Sequence, residues 1–197
     1  MKNLLLTGFG PFHTHPTNPT GEVVELLDDT HIGHWKIHGR ILPVVFEEVF
    51  PELEKAIEET KPEAVIMTGL AWGRDVISLE RVAINCLDSI RKDNKGNEVH
   101  DQKIDPDGEN AYFSTLPIRE MKLTLDQLEI PCEISNSAGT YVCNQIMYLC
   151  LKHFAKAHID LPAGFIHLPP DHGLRPESLW EIKDLSHAVS EVIKVLK

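Results

Sequence analysis

Short apolar runs alternate along the chain with longer segments in which apolar residues recur every three or four positions. The short runs predict strands at residues 2–7, 35–41, 64–68, 77–85, 132–135 and 163–167. The longer segments predict helices that begin near residue 20, cover 46–60 and 118–129, begin at residue 143, and cover 177–196. This alternation predicts an α/β fold: an open, mostly parallel twisted sheet with helices on both faces, a three-layer sandwich.

Three segments leave the local structure less defined. Residues 86–109 are polar and lack periodicity, so we expect a long excursion outside the core. Pro51 either kinks the helix over 46–60 or begins its regular part. Leu179 is expected on the buried face of the last helix, together with the apolar residues that follow it at helical spacing.

Glycine-containing loops follow two of the predicted strands, at residues 8–12 and 69–74. In open α/β sheets, ligands bind beyond the carboxyl ends of the strands, which is where these loops lie. The first loop contains Phe9 and Phe12, where an ordinary surface loop is polar. The two rings therefore either cap the core or line a pocket.

The composition excludes several classes of partner. The chain has 197 residues, 42% of them hydrophobic, enough for one sizeable core, and we expect a single domain over residues 1–197. A formal net charge of −11 disfavours binding to nucleic acid or an anionic membrane. Only three consecutive leucines follow the first residues, too few for a signal peptide or a membrane span, so we expect a cytoplasmic protein.

The sequence gives no indication of a cofactor or a metal. Dinucleotide-binding and P-loop fingerprints are absent, and the four cysteines have no Cys-x-x-Cys spacing, so we expect free thiols. His13-Thr14-His15 has the ligand type for a metal but no partner spaced to complete a shell. We interpret it as a solvated loop.

Cys143 is a candidate nucleophile because it stands where a helix begins. The free N–H groups and the positive end of the helix dipole favour a thiolate there, which predicts a lowered pKa. The alternative is a small buried core residue, the commonest fate of a free cysteine.

His167 and Glu80 are candidate partners for this thiol. His167 ends a predicted strand, and Glu80 is a carboxylate between apolar neighbours, which is costly unless it is paired or used. Thiol, imidazole and carboxylate form the set needed for a nucleophile, a general base and an orienting anion. Each also has a structural reading: His167 caps a strand, and Glu80 pairs with Arg81 or Arg74.

At these residues the chain resembles the pyroglutamyl peptidase I family, also called pyrrolidone carboxyl peptidases. The matching blocks are Thr7-Gly8-Phe9-x-Pro11-Phe12 with Asn18-Pro19, Leu42-Pro43-Val44, Ser78-Leu79-Glu80-Arg81-Val82-Ala83-Ile84-Asn85, Ala111-Tyr112-Phe113-Ser114-Thr115-Leu116-Pro117, Ser135-Asn136-Ser137-Ala138-Gly139-Thr140-Tyr141-Val142-Cys143-Asn144 and Gly164-Phe165-Ile166-His167-Leu168-Pro169. They occur in order and span nearly the whole chain.

The resemblance implies a cofactor-free, cytoplasmic cysteine peptidase that removes an N-terminal pyroglutamyl residue from peptides. It implies the triad Glu80, Cys143 and His167 and a thioester intermediate. Family members are commonly homotetramers, which the resemblance implies here too. It also implies a substrate pocket formed by Phe9, Phe12, Asn18, Val44, Leu70, Tyr141 and Val142.

The chain departs from the family pattern at two places near this pocket. His13-Thr14 stands where most microbial members have Gly-Gly, and Ile90 stands where many have arginine, with Arg91 one place on. Two other functions therefore stay open. One is a different small-molecule enzyme on the same scaffold, and the other is a catalytically weak relative that only binds cyclised N-termini.

Overall fold

The computed structural model describes residues 1–13 and 15–197, and Thr14 lies outside the described residues. The described part has a seven-stranded main sheet in the order β10-β5-β11-β4-β1-β3-β2. Its strands are β1 Lys2–Phe9, β2 His31–Ile32, β3 Trp35–Leu42, β4 Ala64–Leu70, β5 Ile77–Glu80, β10 Cys132–Ser135 and β11 Ala163–Leu168. Neighbouring strands are parallel except at the β11–β5 and β2–β3 pairs.

Five helices cover both faces of this sheet within the described residues. They are α1 Pro19–Leu27, α2 Val49–Thr60, α3 Ile118–Gln127, α4 Val142–Ala157 and α5 Ile182–Lys194. Alternate residues of β1 feed two cores: Leu4 and Leu6 pack with α1, α3 and α5, whereas Leu5 packs with α2 and α4. The predicted mostly parallel three-layer α/β fold is confirmed.

The predicted strand over 77–85 is wrong in one respect, because the chain leaves the main sheet at Arg81. The Arg81 N–H donates to Ser135 O, and the Arg81 carbonyl accepts from Ser114 N, so pairing switches partners at this residue. Beyond it, β6 Val82–Ile84 pairs with β9 Ala111–Phe113 in a separate two-stranded sheet. Glu80 is therefore the last residue of its strand in the main sheet.

The expectation for residues 86–109 is wrong in part. This segment contains the hairpin strands β7 Leu87–Ser89 and β8 Val99–Gln102. Leu87 and Val99 are buried in the same core as α4. Each strand contributes only one buried apolar residue, so no alternation was available in the sequence.

The ends of two helices also differ from expectation. α2 begins at Val49, so Pro51 lies in its first turn, where proline is tolerated. α5 begins at Ile182 after a capping box formed by Glu181 and Asp184, and Leu179 lies before it with 95% of its surface exposed. The expectation that Leu179 is buried is therefore wrong. Among the described residues, no helix is long and apolar enough to cross a membrane.

Candidate active site

Cys143 is the second residue of α4, at the carboxyl edge of the sheet. The side chain of Asn144 fixes this helix start, because its amide accepts from Ile84 N and donates to the carbonyls of Ile84 and Cys86. The thiol is half-buried, and it lines the cavities described below. The start of α4 thus provides both the Cys143 sulfur and the backbone N–H of the same residue.

Gly69, the sixth residue of β4, leaves the space that the thiol occupies. A Cβ added at Gly69 would lie 2.8 Å from Cys143 Sγ and 2.6 Å from Phe165 Cζ, closer than real Cβ atoms come to such neighbours. Any side chain here would displace the sulfur or the phenyl ring. The glycine is therefore a requirement of packing around Cys143.

His167 and Glu80 meet because their strands are neighbours. β11 and β5 run antiparallel, and His167 pairs with Ser78, two residues before Glu80. His167 Nδ1 lies 2.8 Å from Glu80 Oε1, and both side chains are buried. This contact fixes the ring orientation and leaves Nε2 as the nitrogen free for chemistry.

Arg74 is a third member of this charged group, which the sequence offered only as an alternative partner of Glu80. Its guanidinium donates to Glu80 Oε1 at 2.6 Å and to the carbonyl of Ser137 at 3.0 Å. Arg74 therefore ties the carboxylate to the loop that precedes Cys143. Glu80 Oε2 is buried with no hydrogen-bond partner among the described residues.

The Glu80 carboxylate is held in its ionised form. Burial disfavours the charge, but the hydrogen bond and the charge of His167, with the hydrogen bond from Arg74, outweigh it and lower the pKa. An ionised carboxylate at this position stabilises a cationic imidazole.

The expected lowering of the Cys143 pKa is wrong for the resting site. Burial, followed by the negative charge of Glu80, raises the pKa of the thiol to about 12, although Arg74 acts in the opposite direction. The helix start does not offset the loss of water and the nearby carboxylate. Cys143 is consequently a neutral thiol that needs a base before it can act as a nucleophile.

Two cavities meet at Cys143. The smaller has a volume of about 60 Å³ and is lined by Phe9, Phe12, Asn18, Val44, Leu70, Arg91, Tyr141, Val142 and Cys143. The larger, of about 470 Å³, is lined by Cys143, His167 and residues of the 70–73, 88–91 and 138–141 segments. All seven residues expected in the substrate pocket therefore line one small cavity beside the thiol.

The hairpin over 87–102 forms one wall of the small cavity and is held by Asp93. This buried carboxylate accepts from the backbone N–H groups of Phe46, Lys95 and Asn97 and from the Asn97 side chain. Burial opposes its charge, but these hydrogen bonds lower its pKa overall. The Tyr141 hydroxyl donates to Lys92 O, which joins the hairpin to the start of α4.

Arg91 reaches the site although Ile90 occupies the position where the resemblance expects arginine. The Ser89 hydroxyl accepts from Arg91 N and donates to Arg91 O, which forms a tight local turn. Arg91 lines both cavities, whereas Ile90 lines only the larger one and is 94% exposed. A one-residue offset in the sequence thus leaves an arginine near the thiol.

The histidines of the first loop, His13 and His15, have different surroundings. No group of three His, Cys, Asp or Glu side chains with metal-binding geometry exists among residues 1–13 and 15–197. His15 stacks on Trp72 with ring centroids 4.6 Å apart and meets the Phe12 ring edge-on at 5.3 Å. His13 is exposed as expected, but His15 is half-buried against the rings of Phe12 and Trp72 rather than a solvated residue.

A larger cavity of about 800 Å³ lies elsewhere, between the end of α3 and residues 175–187. It shares no lining residue with the two cavities at Cys143. It contains no thiol, so size alone does not identify the reactive site.

Comparison with known proteins agrees with this geometry. The family profile for "Pyroglutamyl peptidase" matches residues 2–179. The chain belongs to this family. The pyrrolidone-carboxylate peptidase of Oceanobacillus iheyensis is 44% identical over 199 residues, covering all of both chains, and that of Pyrococcus furiosus is 46% identical over 166 residues, 84% of this chain and 80% of the relative. The family members are cysteine-type hydrolases, and this chain is an enzyme of that class.

Solved structures give the same result for the fold. The pyrrolidone carboxyl peptidase of Thermococcus litoralis superimposes with a TM-score of 0.96 at 36% identity, covering 100% of this chain and 93% of that one. A mutant of the Pyrococcus furiosus enzyme superimposes with a TM-score of 0.95 at 40% identity, covering 98% and 97%. The pyroglutamyl peptidase fold is therefore present throughout this chain.

Proposed function

We propose that this enzyme hydrolyses the bond after an N-terminal pyroglutamyl residue through Cys143, His167 and Glu80. The observation that carries the proposal is the 2.8 Å contact between His167 and Glu80 on the cavity that also contains Cys143. Its family membership supports the same substrate.

The small cavity suits the pyroglutamyl lactam in size and polarity. Ligand pockets for drug-sized molecules measure roughly 300–1,000 Å³, so a cavity of about 60 Å³ accepts only one small group. Phe9, Phe12, Val44 and Val142 supply apolar walls for a neutral ring. The Leu70 carbonyl is the proposed acceptor for the ring N–H.

The reaction begins when His167 Nε2 takes the proton from Cys143 Sγ, and the sulfur attacks the carbonyl carbon that follows the lactam ring. The Cys143 backbone N–H stabilises the negative oxygen of the tetrahedral intermediate. The carbon–nitrogen bond then breaks, the protonated His167 gives its proton to the leaving amine, and a thioester remains. His167 next removes a proton from water as the water oxygen attacks the thioester carbon. The carbon–sulfur bond then breaks, and His167 returns the proton to the sulfur, which releases pyroglutamate and restores the thiol.

Glu80 acts on this reaction through His167. Its carboxylate fixes Nδ1 as the protonated nitrogen and stabilises the imidazolium that forms twice in each cycle. Because burial and Glu80 raise the pKa of Cys143 to about 12, thiolate forms mainly by transfer to His167. No cofactor takes part in these steps.

The remaining expectations extend the proposal to the whole protein. We propose a single domain over residues 1–197, a cytoplasmic location and a homotetramer. Continuity of the seven-stranded sheet supports the single domain, and the family resemblance supports the other two. Gel filtration with light scattering tests the tetramer.

A fluorogenic pyroglutamyl amide assay tests the activity. Cys143→Ala should abolish hydrolysis, whereas Cys132→Ala, which lies outside both cavities, should keep turnover within a few-fold. The wild-type enzyme should prefer the pyroglutamyl amide over prolyl and glutaminyl amides by at least about a hundredfold, because each of these brings a cation into an apolar pocket. Activity retained by Cys143→Ala, or equal rates on the prolyl amide, would contradict the proposal.

A further inference from the structure

The two cavities at Cys143 differ in their access to His167. Both contain the thiol, but His167 lines only the larger one. The small cavity, with its apolar walls, holds the acyl side of the substrate. The imidazole must protonate the leaving nitrogen, so that nitrogen must lie on the His167 side of the sulfur.

We propose that the larger cavity binds the residue that follows the pyroglutamyl group and selects a bulky apolar, above all aromatic, side chain there. This inference rests on the proposed function and extends it to the leaving part of the peptide. The volume of about 470 Å³ leaves ample room for one large side chain and the backbone that carries it.

Trp72 forms part of the wall of this cavity and is held by neighbouring side chains. His15 stacks on its ring, Phe12 supports His15 from the small cavity, and Arg175 donates to the Trp72 carbonyl at 3.1 Å. The indole is therefore a supported aromatic surface in the cavity wall. Aromatic side chains stack on such a surface with a preference beyond their buried area.

Ile90 forms an apolar wall on a different segment, the β7–β8 hairpin. Ile90 is 94% exposed, which leaves a large apolar group in water in the cavity that also contains Cys143. A substrate side chain between Trp72 and Ile90 would remove both from water. Exposed apolar groups around a pocket are typical of binding surfaces.

The charged residues of the same cavity favour a neutral occupant. Asp88 and Arg91 carry opposite charges, so neither a cationic nor an anionic side chain gains a net attraction. A charged side chain would also lose water against Trp72 and Ile90. We therefore expect the order aromatic, then branched aliphatic, then alanine, with lysine and glutamate last.

The test uses dipeptide amides of pyroglutamate with phenylalanine, leucine, alanine, lysine or glutamate, with amine release followed by chromatography. The wild-type kcat/KM should be highest for phenylalanine. In Trp72→Ala the ratio of the phenylalanine to the alanine substrate should fall about fivefold, and Trp72→Phe should restore most of it. The ratio is taken on one protein sample, so it does not depend on the folded fraction.

Two further variants sharpen the test. Ile90→Ser should lower the same ratio by about two- to threefold without affecting folding, because this side chain is almost fully exposed. Leu179→Ser, equally exposed but outside both cavities, should keep the wild-type ratio. A wild-type ratio near one, or ratios unaffected by both Trp72→Ala and Ile90→Ser, would overturn the inference while leaving pyroglutamyl hydrolysis intact. Failure of the wild-type enzyme on every substrate would overturn the proposed function and this inference with it.

Discussion

Replacing Gly69 with alanine is a sharp perturbation of the site because it adds one methyl group beside the thiol. The new Cβ would lie 2.8 Å from Cys143 Sγ and 2.6 Å from Phe165 Cζ, whereas ordinary van der Waals contact begins near 3.4 Å. The sulfur or the backbone of β4 must therefore move by at least about 0.6 Å. Phe165 is fully buried, so its ring has little freedom to yield.

The expected cost has a stability part and an activity part. Overpacking a core by one methyl group costs about 1–3 kcal/mol, which in a chain of this size lowers Tm by roughly 2–12 °C. A displacement of the nucleophile approaching 1 Å costs on the order of a hundredfold in rate. We expect Gly69→Ala to lose about this much kcat on the pyroglutamyl amide while remaining folded at 25 °C.

Two comparisons separate these parts. Gly10→Ala adds a methyl group that meets only Ile41 Cγ2 at 3.7 Å, so it should keep both Tm and kcat. Adding Gly69→Ala to Cys143→Ala removes the contact with sulfur but not the contact with Phe165. The cost of Gly69→Ala should then fall by about 1 kcal/mol in chemical denaturation. Near-normal kcat and Tm in the single variant, or no coupling in the double variant, would refute this account of Gly69.

Three further outcomes test the charged groups. Arg74→Gln should lower kcat/KM about tenfold or more. It should also raise the pH at which Cys143 is alkylated, because Arg74 acts to lower the pKa of that thiol. Arg74→Lys should recover part of both effects. The pKa of Glu80 in the folded protein is lowered from its ordinary 4.5, so its stabilising effect is present above pH 4.5 and is lost as pH falls through the folded-state pKa. His167→Ala removes the main interaction that lowers this pKa. Acid unfolding, followed by circular dichroism, should therefore shift to higher pH. Asp93→Ala should cost about 3 kcal/mol of stability and raise KM more than it lowers kcat, because the hairpin that forms one wall of the small cavity loses its hydrogen bonds to Asp93. Glu98→Gln, at a half-exposed position on the same hairpin, should leave KM and kcat within twofold. An unchanged KM in Asp93→Ala, despite lower stability, would separate the hairpin from binding.

The elements that the sequence predicted well are those with a strong local pattern. β1, β4 and β11 are short apolar runs buried on both faces, and the periodicity after residue 143 predicted α4 to within one residue at its start. The strand break at Arg81 had no such signal, because the apolar pattern continues across it while the hydrogen-bond partners change from Ser135 to Ser114. Both partners, Ser135 and Ser114, lie more than 30 positions after Arg81 in the chain.

Residue types and the family resemblance predicted the candidate site residues. The residues that were not predicted are those whose contribution depends on their position in the folded chain. Arg74 and Gly69 contribute a charge and an empty volume next to Glu80 and Cys143, and neither contribution has a periodicity or a motif of its own. The role proposed for Trp72 depends on the stacking of His15 on its ring, a contact that the sequence does not show. The pKa of Cys143 was predicted in the wrong direction because the helix start is visible in the sequence and burial is not.

The charges around Cys143 meet at one oxygen of the Glu80 carboxylate. Both donors to Glu80, from His167 and Arg74, bind Oε1, and Oε2 has no partner among the described residues, which costs about 1–3 kcal/mol. Glu80 raises the thiol pKa and Arg74 lowers it, so the resting sulfur stays neutral while the carboxylate stays charged. In the proposed reaction, the ionised Glu80 carboxylate therefore faces His167, on which the positive charge would develop.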